Sequence, residues 1–276
     1  MNNNEITKIE KAPLSFFDKN FINSESGREI RILSEYLFPE HHLKENNIAQ
    51  TIVIFGSARV MSLEDWKKKD AELKFQFETG NENVKEALAV QIKAHKAKYE
   101  FSLIYEECVE LSEMLAEWSM KLPKKQRYYI CTGGGPGLME AANKGAFNKN
   151  AQNIGLNISL PFEQLPNPYI SKELNFEFHY FFMRKFWFTN FAKALICMPG
   201  GFGTIDELAE HLTLIQTKKK NKSLPIVLYN EKFWRKTINF EYLAESGMID
   251  NSDLFLYQYC STPKEAFDYV VKKLME

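Results

Sequence analysis

A chain of 276 residues with 45% hydrophobic and 26% charged side chains can bury a sizeable core, and it predicts one domain with additions rather than two equal domains. Its 35 basic and 36 acidic residues give a net charge of −1, which offers nucleic acid no general attraction. No run of about 18 apolar residues occurs, and the polar stretch Met1–Glu5 lacks the apolar core of a signal peptide. These features predict a cytoplasmic protein that binds neither nucleic acid nor a membrane.

The cysteines are widely separated in the sequence, and no pair has the spacing of metal ligands. Most of them lie inside apolar patterns, as expected of buried, unreactive thiols in a reducing compartment. The sequence therefore predicts no metal site.

The N-terminal segment, residues 1–25, is polar with isolated aromatic side chains and predicts an arm outside the main domain, residues 26–276. Ser26–Glu29 has the spacing of a capping box, and the apolar residues after it predict a helix that ends before Pro39. Thr51–Phe55 is apolar and β-branched, as expected of a parallel strand buried on both faces.

Residues 60–100, approximately, predict a helical insertion with a break at Thr79–Asn83. Such an insertion could cover the functional site or build a dimer interface, and the sequence does not decide between these roles. His95 lies on the apolar stripe of the second helix, so we interpret it as a packed core histidine.

The remainder of the chain alternates between apolar strand patterns and amphipathic helix patterns. Strands are predicted at 128–132, 154–158, 194–198 and 224–229, an extended piece at 254–259, and helices at 184–191, 205–215, 231–246 and 263–275. This alternation predicts an α/β fold with a doubly wound, mostly parallel sheet and helices on both of its faces.

Three predicted strands end in glycine-containing turns, at Gly56–Ser57, Gly133–Gly137 and Gly200–Thr204. In an open parallel sheet the ligand lies in the crevice at the carboxyl ends of the strands, so the three turns could converge on one polyanionic molecule. None of them fits the dinucleotide fingerprint or the P-loop, which argues against a dinucleotide dehydrogenase and a P-loop NTPase. The alternative is that these glycines only close turns.

Arg59 and Arg184 are the cations near these turns, and a guanidinium can bind a phosphate through two parallel hydrogen bonds. Either arginine could instead pair with a surface carboxylate, and we expect Lys185 to lie on another face than Arg184. We interpret His179 and His211 as structural, because each lies in an aromatic or apolar context.

Glu140, Asp206 and Glu207 are the candidate carboxylates. Cleavage of a sugar–base bond passes through an oxocarbenium-like state, which a carboxylate beneath the anomeric carbon stabilises. Glu207 fits this role because it lies one helical turn beyond the glycines, whereas Asp206 is interpreted as a residue of the helix start or as one that supports the site without contacting the substrate.

Three ordered motifs carry a resemblance to a known family: Phe55–Arg59, Gly133–Glu140, and Pro199–Glu207 with Arg184-Lys185 upstream. Together they resemble the LOG family of nucleoside 5′-monophosphate phosphoribohydrolases, whose members are sometimes labelled lysine decarboxylases. The resemblance runs from about Ser26 to Tyr229, and Phe181–Lys185 looks like the longer bacterial branch of the family.

The resemblance implies a Rossmann-like fold, usually a homodimer, that hydrolyses the N-glycosidic bond of a nucleotide to free base and ribose 5-phosphate without a cofactor. It implies that Arg184 and Glu207 are catalytic. The expected substrate-binding residues are Gly56, Ser57, Arg59, Gly134, Gly135, Glu140, Gly200, Gly201, Gly203 and Thr204. The substrate is expected to be a purine or cytokinin-type nucleoside monophosphate, such as AMP.

Two other functions remain open at the level of sequence. A non-catalytic carrier of a nucleotide or of molybdenum cofactor could use the same crevice, and it would not need the pair of Arg184 and Glu207. A scaffold protein acting through residues 60–100 would need the insertion and not the glycine turns.

Overall fold

The computed structural model describes residues 11–12, 14–161, 165–219 and 224–276. These residues form a sheet of seven strands, all parallel, in the order β4-β3-β2-β1-β5-β6-β7. The strands are β1 (Thr51–Phe55), β2 (Tyr129–Thr132), β3 (Asn153–Ile158), β4 (Asn175–Phe178), β5 (Ala192–Cys197), β6 (Ile226–Tyr229) and β7 (Gln258–Cys260).

Helices connect the strands along the described chain. The α-helices are α1 (Lys19–Asn23), α2 (Arg28–Glu45), α3 (Leu63–Thr79), α4 (Glu82–Lys96), α5 (Tyr99–Met120), α6 (Leu138–Asn148), α7 (Phe181–Phe191), α8 (Phe202–Gln216), α9 (Glu231–Thr237), α10 (Phe240–Glu245) and α11 (Pro263–Met275). Short 3-10 turns lie at Ser15–Phe17, Glu25–Gly27, Lys124–Gln126, Lys172–Leu174 and Asn251–Phe255.

The sheet separates two hydrophobic cores, as the predicted doubly wound fold requires. On one face, Leu111 of α5, Ala142 of α6 and Val270 of α11 pack on the strands. On the other face, Phe188 of α7 and Leu208 of α8 do so, together with residues of α2, α9 and α10. Because both faces are covered, the central strands are apolar along their whole length, and β1 and β6 are buried at every position.

The strand order reverses between β1 and β5. From β1 the chain adds β2, β3 and β4 on one side, and it then returns to add β5, β6 and β7 on the other. Helices that leave two neighbouring strands in opposite directions open a crevice between them, and ligands of open α/β sheets bind there. The turns after β1 and β5, which contain Gly56 and Gly200, border this crevice.

The predicted capping box at Ser26 and the predicted end before Pro39 are both wrong. Helix α2 begins at Arg28 without a side-chain cap and continues through Pro39 to Glu45. Proline has no N–H, so the Glu35 carbonyl one turn earlier would lack its helical partner. The indole Nε1–H of Trp187 donates to that carbonyl at 2.9 Å, which a sequence pattern cannot reveal.

Four other element predictions need correction. The aromatic segment before Tyr180 contains the edge strand β4, with Phe176 and Phe178 turned inward. Helix α7 begins at Phe181, before Arg184. The single helix expected at 231–246 is two helices, because Asn239 caps α10. Of the piece expected to be extended at 254–259, the first two residues belong to a 3-10 turn and the last two to β7.

Residues 63–96 form the helix pair α3 and α4, which break near Gly80 as predicted and pack on each other. His95 is buried as expected: its ring stacks on Trp66 at 4.7 Å and its Nε2 lies 3.0 Å from the Trp66 carbonyl oxygen. Residues 1–10 and 13 of the predicted arm lie outside the described residues. Residues 19–23 of the arm form α1, and the Arg31 guanidinium donates a hydrogen bond to the Ile22 carbonyl. None of the described helices is long and apolar enough to cross a bilayer.

Candidate functional site

The glycine turns after β1, β2 and β5 meet at the switch point and are joined by main-chain hydrogen bonds. The Ser57 N–H donates to the Pro199 carbonyl at 3.0 Å, and the Leu138 N–H donates to the Ser57 carbonyl at 3.0 Å. A Cβ on Gly56 would lie 2.7 Å from the Leu138 Cβ and 3.1 Å from the Met198 Cβ. The predicted convergence of the three turns is therefore present, and glycine is required where they touch.

Two glycines of the second turn have backbone conformations that disfavour other residues. Gly134 and Gly137 both have φ of +71°. A Cβ on Gly134 would lie 2.2 Å from the Asn157 Oδ1, and one on Gly137 would lie 2.3 Å from the Ser57 carbonyl oxygen. These glycines thus have a structural role in addition to any contact with a ligand.

A buried amide network, which the sequence analysis missed, holds the second turn in place. The Asn167 Nδ2 donates to the carbonyls of Gly134 and Gly135 and to the Asn143 Oδ1, at 2.9 to 3.1 Å. The Thr132 hydroxyl accepts from the Gly134 N–H at 3.0 Å. Asn167 lies in a loop with no regular pattern, so its only signal was an asparagine between two prolines.

The third turn leads directly into α8, a helix of 15 residues that begins at Phe202. A Cβ on Gly200 would overlap the Thr204 Oγ1 at 2.1 Å, so the turn folds back onto the buried Thr204. Gly201 and Gly203 have no described atom within 4 Å of a built Cβ. Free main-chain N–H groups and the helix dipole make this open helix start suitable for an anion.

Arg184 lies half-buried in the first turn of α7, close to the second glycine turn. Its Nη1 is 3.9 Å from the position of a Cβ on Gly133, and its guanidinium lies over the rings of Phe181 and Phe188 at 5.3 and 5.6 Å. Burial lowers the pKa of Arg184, whereas Glu207 and other carboxylates raise it. Its Nε has no hydrogen-bond partner among the described residues.

Glu207, one turn into α8, is only 3% exposed. Its Oε2 is buried and has no hydrogen-bond partner among the described residues. Burial raises the pKa of Glu207 to about 7, against the opposing effects of Lys185 and Arg184. A carboxyl group with this pKa can take up or release a proton near neutral pH.

Lys185 pairs with two carboxylates of α8. Its Nζ lies 2.8 Å from the Asp206 Oδ2 and 2.9 Å from the Glu210 Oε2. This contact joins α7 to α8 through the residues before and after Glu207. Asp206 is exposed and paired with Lys185, and it lies past the first turn of α8, which contains no acidic residue, so its interpretation as a helix-start residue is wrong.

The structure buries one of the two candidate histidines and exposes the other. His211 is fully buried, and its Nδ1 lies 2.8 Å from the Glu207 carbonyl oxygen, an arrangement in which the ring nitrogen must donate. His179 is exposed, and its ring contacts Tyr180 at 4.7 Å.

Glu140 and Arg59 lie at the edges of the site. The Tyr105 hydroxyl donates to the Glu140 Oε1 at 2.7 Å, and burial together with this carboxylate raises the pKa of Tyr105. Arg59 is exposed, and its N–H donates to the Ser57 Oγ. Its side chain lines a separate cleft next to Gly200 and is not part of the Arg184–Glu207 cluster.

The arrangement combines an open helix start, a half-buried guanidinium and a buried carboxyl group that titrates near neutral pH. The first two can hold an anion, and the third can act on a bond held between them. Among the described residues, no group of three or more His, Cys, Asp or Glu side chains is arranged to hold a metal ion.

The fold and the site define an α/β protein of the Rossmann-like type, with three glycine turns gathered at the topological switch point. Residues 139–270 match a family model described as "Possible lysine decarboxylase". The matched residues make up just under half of the chain, and they include the third of the motifs that resemble the LOG family, Pro199–Glu207, together with Arg184 and Lys185.

Curated relatives carry a more specific name. Over 115 residues, the chain is 35% identical to proteins named pyrimidine/purine nucleotide 5′-monophosphate nucleosidase from three strains of Escherichia coli, K12, O6:H1 and O157:H7. The alignment covers 37% of this chain and 24% of the relatives, so the chain spans about a quarter of their length.

Solved structures with similar folds were also found. The X-ray structure of the structural genomics target TM1055 gives a TM-score of 0.49 at 20% identity, covering 81% of this chain and 99% of that one. The molybdenum cofactor binding protein from Rippkaea orientalis gives 0.42 at 20% identity, covering 62% and 88%. The Moco carrier protein from Chlamydomonas reinhardtii gives 0.41 at 16% identity, covering 82% and 97%.

The lysine decarboxylase label of the family does not fit these residues. A decarboxylase of this kind holds pyridoxal phosphate as a Schiff base on a lysine. The three glycine turns contain no lysine. Lys185, next to Arg184, pairs through its ammonium group with two carboxylates of α8, and these ion pairs favour the charged form that cannot form a Schiff base.

Proposed function

We propose that this chain is a nucleoside 5′-monophosphate phosphoribohydrolase, which hydrolyses the N-glycosidic bond to give the free base and ribose 5-phosphate. The observation that carries the proposal is the buried Glu207 carboxyl, whose Oε2 is unpartnered, one turn beyond an open helix start and within the field of Arg184. The names of the curated relatives support the same class of reaction.

In this proposal the 5′-phosphate lies at the start of α8, on Gly200, Gly201, Gly203 and Thr204. Arg59 and the Gly56-Ser57 turn border the phosphate, and Gly134, Gly135 and Glu140 border the sugar or the base. Arg184 keeps its charge under desolvation, so it can hold the substrate against Glu207.

The reaction breaks the bond between C1′ and the base nitrogen and forms a bond between C1′ and oxygen. The carboxylate of Glu207 stabilises the positive charge that develops on the sugar. It either accepts a proton from the attacking water or attacks C1′ itself, after which water releases the sugar. In both routes the base leaves with a proton on its nitrogen.

The finer parts of the proposal concern the substrate and the assembly. We propose that the substrate is a purine nucleoside monophosphate such as AMP, or a cytokinin-type one. We propose further that the protein is a homodimer and acts in the cytoplasm. An exposed apolar face on α2 and α7 supports self-association: Leu33, Tyr36, Leu37, Phe182 and Phe186 are each at least 38% exposed. Contiguous apolar surface of this kind marks interaction sites.

The test is to incubate the protein with a panel of nucleoside monophosphates that includes AMP and isopentenyladenosine monophosphate, and to detect free base by chromatography. We expect release of base from at least one of them. Glu207→Gln should lower kcat at least about a hundredfold while substrate still binds, because it keeps the shape and removes the charge.

Glu245→Gln is the matched control, because it changes an exposed carboxyl away from the glycine turns, and it should retain the turnover. If no nucleotide in the panel releases base although nucleotides bind, the chain is a carrier and the hydrolase proposal is wrong. Full activity of Glu207→Gln would overturn the role given to that residue.

A further inference from the structure

A cleft of ≈ 250 Å³ adjoins the glycine turns on the side away from Arg184. Ser57, Pro199 and Gly200 form its inner edge, where the turns after β1 and β5 meet. It extends towards Phe233, near the start of the helix after β6, whereas Arg184 lies near Gly133 at the end of β2. The cleft and Arg184 therefore lie on opposite sides of the turns after β1 and β5.

The walls of the cleft are mainly apolar and aromatic. Phe101 and Phe233 meet edge to face with ring centroids 6.2 Å apart, and Val60 and Met61 extend the apolar wall. Trp66 of α3 forms the outer side and is fixed in place, because its ring stacks on His95 and its Nε1–H donates to the His95 carbonyl at 3.0 Å. Rigid aromatic walls of this type suit a flat ring system.

The rim of the cleft is positively charged. Arg59 and Lys98 both line it and are exposed, and neither forms an ion pair with a carboxylate in the described part of the chain. In the proposed function Arg59 borders the phosphate monoester at the start of α8, which leaves Lys98 without an anion. A ligand that continues into the cleft with a second phosphate would complement Lys98.

We propose that this cleft is a second subsite, and that it holds the distal aromatic group of a pyrophosphate-linked dinucleotide. Its volume is smaller than that of pockets that enclose a whole ligand, which is consistent with a place for one ring system. The inference rests on the proposed phosphate position at Gly200. The missing dinucleotide fingerprint does not oppose it, because here the pyrophosphate lies between two glycine turns rather than on one.

The proposal also gives residues 60–100 a role at the site. Met61 and Trp66 lie within that segment and Lys98 near its end, so a chain without the segment would lack the outer wall and one rim charge. The first nucleotide of the ligand would lie at Arg184 and Glu207, and the second would lie against this segment.

The test measures binding of NAD+ and of AMP by isothermal titration calorimetry. We expect wild-type protein to bind NAD+ at least about tenfold more tightly than AMP, because one additional aromatic contact and a second phosphate are gained. Met61→Trp fills the cleft from its exposed edge and should remove this advantage, leaving AMP affinity and AMP turnover unchanged. Met248→Trp, at an exposed methionine outside the cleft, is the matched control and should keep it.

A second variant removes a charge at the rim of the cleft and does not fill the cleft. Lys98→Gln should weaken NAD+ binding severalfold and should leave AMP binding unchanged. Equal affinities of the wild-type protein for NAD+ and AMP would overturn the proposal. Loss of AMP binding in Met61→Trp, but not in Met248→Trp, would also overturn it, because the cleft would then belong to the mononucleotide site.

These outcomes are separable from those of the proposed hydrolase activity. If no monophosphate releases its base, the phosphoribohydrolase assignment fails, whereas a difference between NAD+ and AMP that depends on Met61 would still identify the cleft as a subsite.

Discussion

Glu207 combines two properties that a surface carboxylate lacks: its Oε2 is buried without a hydrogen bond from a described residue, and its pKa is raised to about 7. Burial is the main cause, and the positive charges of Lys185 and Arg184 offset it only in part. A residue that costs stability in its charged form and lies beside an open helix start is a candidate for function rather than for structure.

The raised pKa predicts how Glu207→Gln changes stability with pH. The folded-state pKa lies above the ordinary value of 4.5, so the wild-type protein loses stability as pH rises through about 7. The variant avoids this loss and should be more stable than wild type at pH 8, by about 3 kcal/mol at most, with no gain near pH 4.

Thermal unfolding at both pH values measures this difference. Glu245→Gln changes a carboxyl on the surface and should follow wild type throughout. A Glu207→Gln variant that gains no stability at pH 8 would contradict the buried, titrating state of Glu207.

At the scale of elements, the contact between α7 and α8 sets the relation of Arg184 to Glu207. Lys185 makes this contact by pairing with Asp206 and Glu210, one residue before Glu207 and three after it. The contact also places a positive charge near Glu207, which lowers the pKa of that carboxyl. We therefore expect Lys185 to act as a positioning residue that holds α7 against α8.

Removal of Lys185 should move the pH dependence of hydrolysis. In Lys185→Met the pKa of Glu207 rises further, because Lys185 is lost and the like charges of Glu210 and Asp206 remain, while Arg184 still opposes the rise. The acid limb of the kcat/KM profile should therefore move to higher pH by about one unit.

Lys121→Met removes an ion pair with Glu117 on the surface of α5 and serves as the control, with an unchanged profile. An equal reduction of rate at every pH in Lys185→Met would instead indicate a role in packing alone.

At the scale of the whole molecule, the α2–α7 pair places an apolar face beside the candidate site. Tyr36 of α2 lies 5.5 Å from Phe186 of α7 between ring centroids, so the two helices present one continuous surface. Glu35 reinforces this pair, since its carboxylate accepts from the His179 N–H at 2.7 Å and the Tyr180 N–H at 3.2 Å. The proposed homodimer would cover this surface.

The double variant Leu33→Glu and Leu37→Glu places two charges on the exposed face of α2. If this face forms the dimer, the variant should be monomeric at concentrations at which the wild-type protein is dimeric, because burying unpaired charge is costly. Sedimentation equilibrium measures the change, and Met275→Glu, at another exposed position, should stay dimeric. A dimer that survives the double variant would rule out this face as the interface.

The sequence by itself determined the fold class, the break near Gly80 between the two helices of the insertion, and the three glycine turns. These features depend on local patterns: β1 and β6 are uniformly apolar because both faces are buried, and Gly134 and Gly137 have the positive φ that glycine favours. Glu207 is a candidate because it lies one helical turn beyond the third glycine turn, and Arg184 because of the resemblance to the LOG family; their catalytic roles stay predictions.

Only the tertiary structure decided features that depend on partners distant in the chain. Helix α2 continues through Pro39 because Trp187, 152 residues beyond Glu35, satisfies the freed carbonyl. The Asn167 amide network, the pairing of Lys185 with α8 and the cleft between Trp66 and Phe233 depend in the same way on packing between segments. The burial that raises the pKa of Glu207 also results from packing between distant segments. Charge and hydrophobic patterns in the sequence specify local conformation. They do not specify which groups are removed from water together.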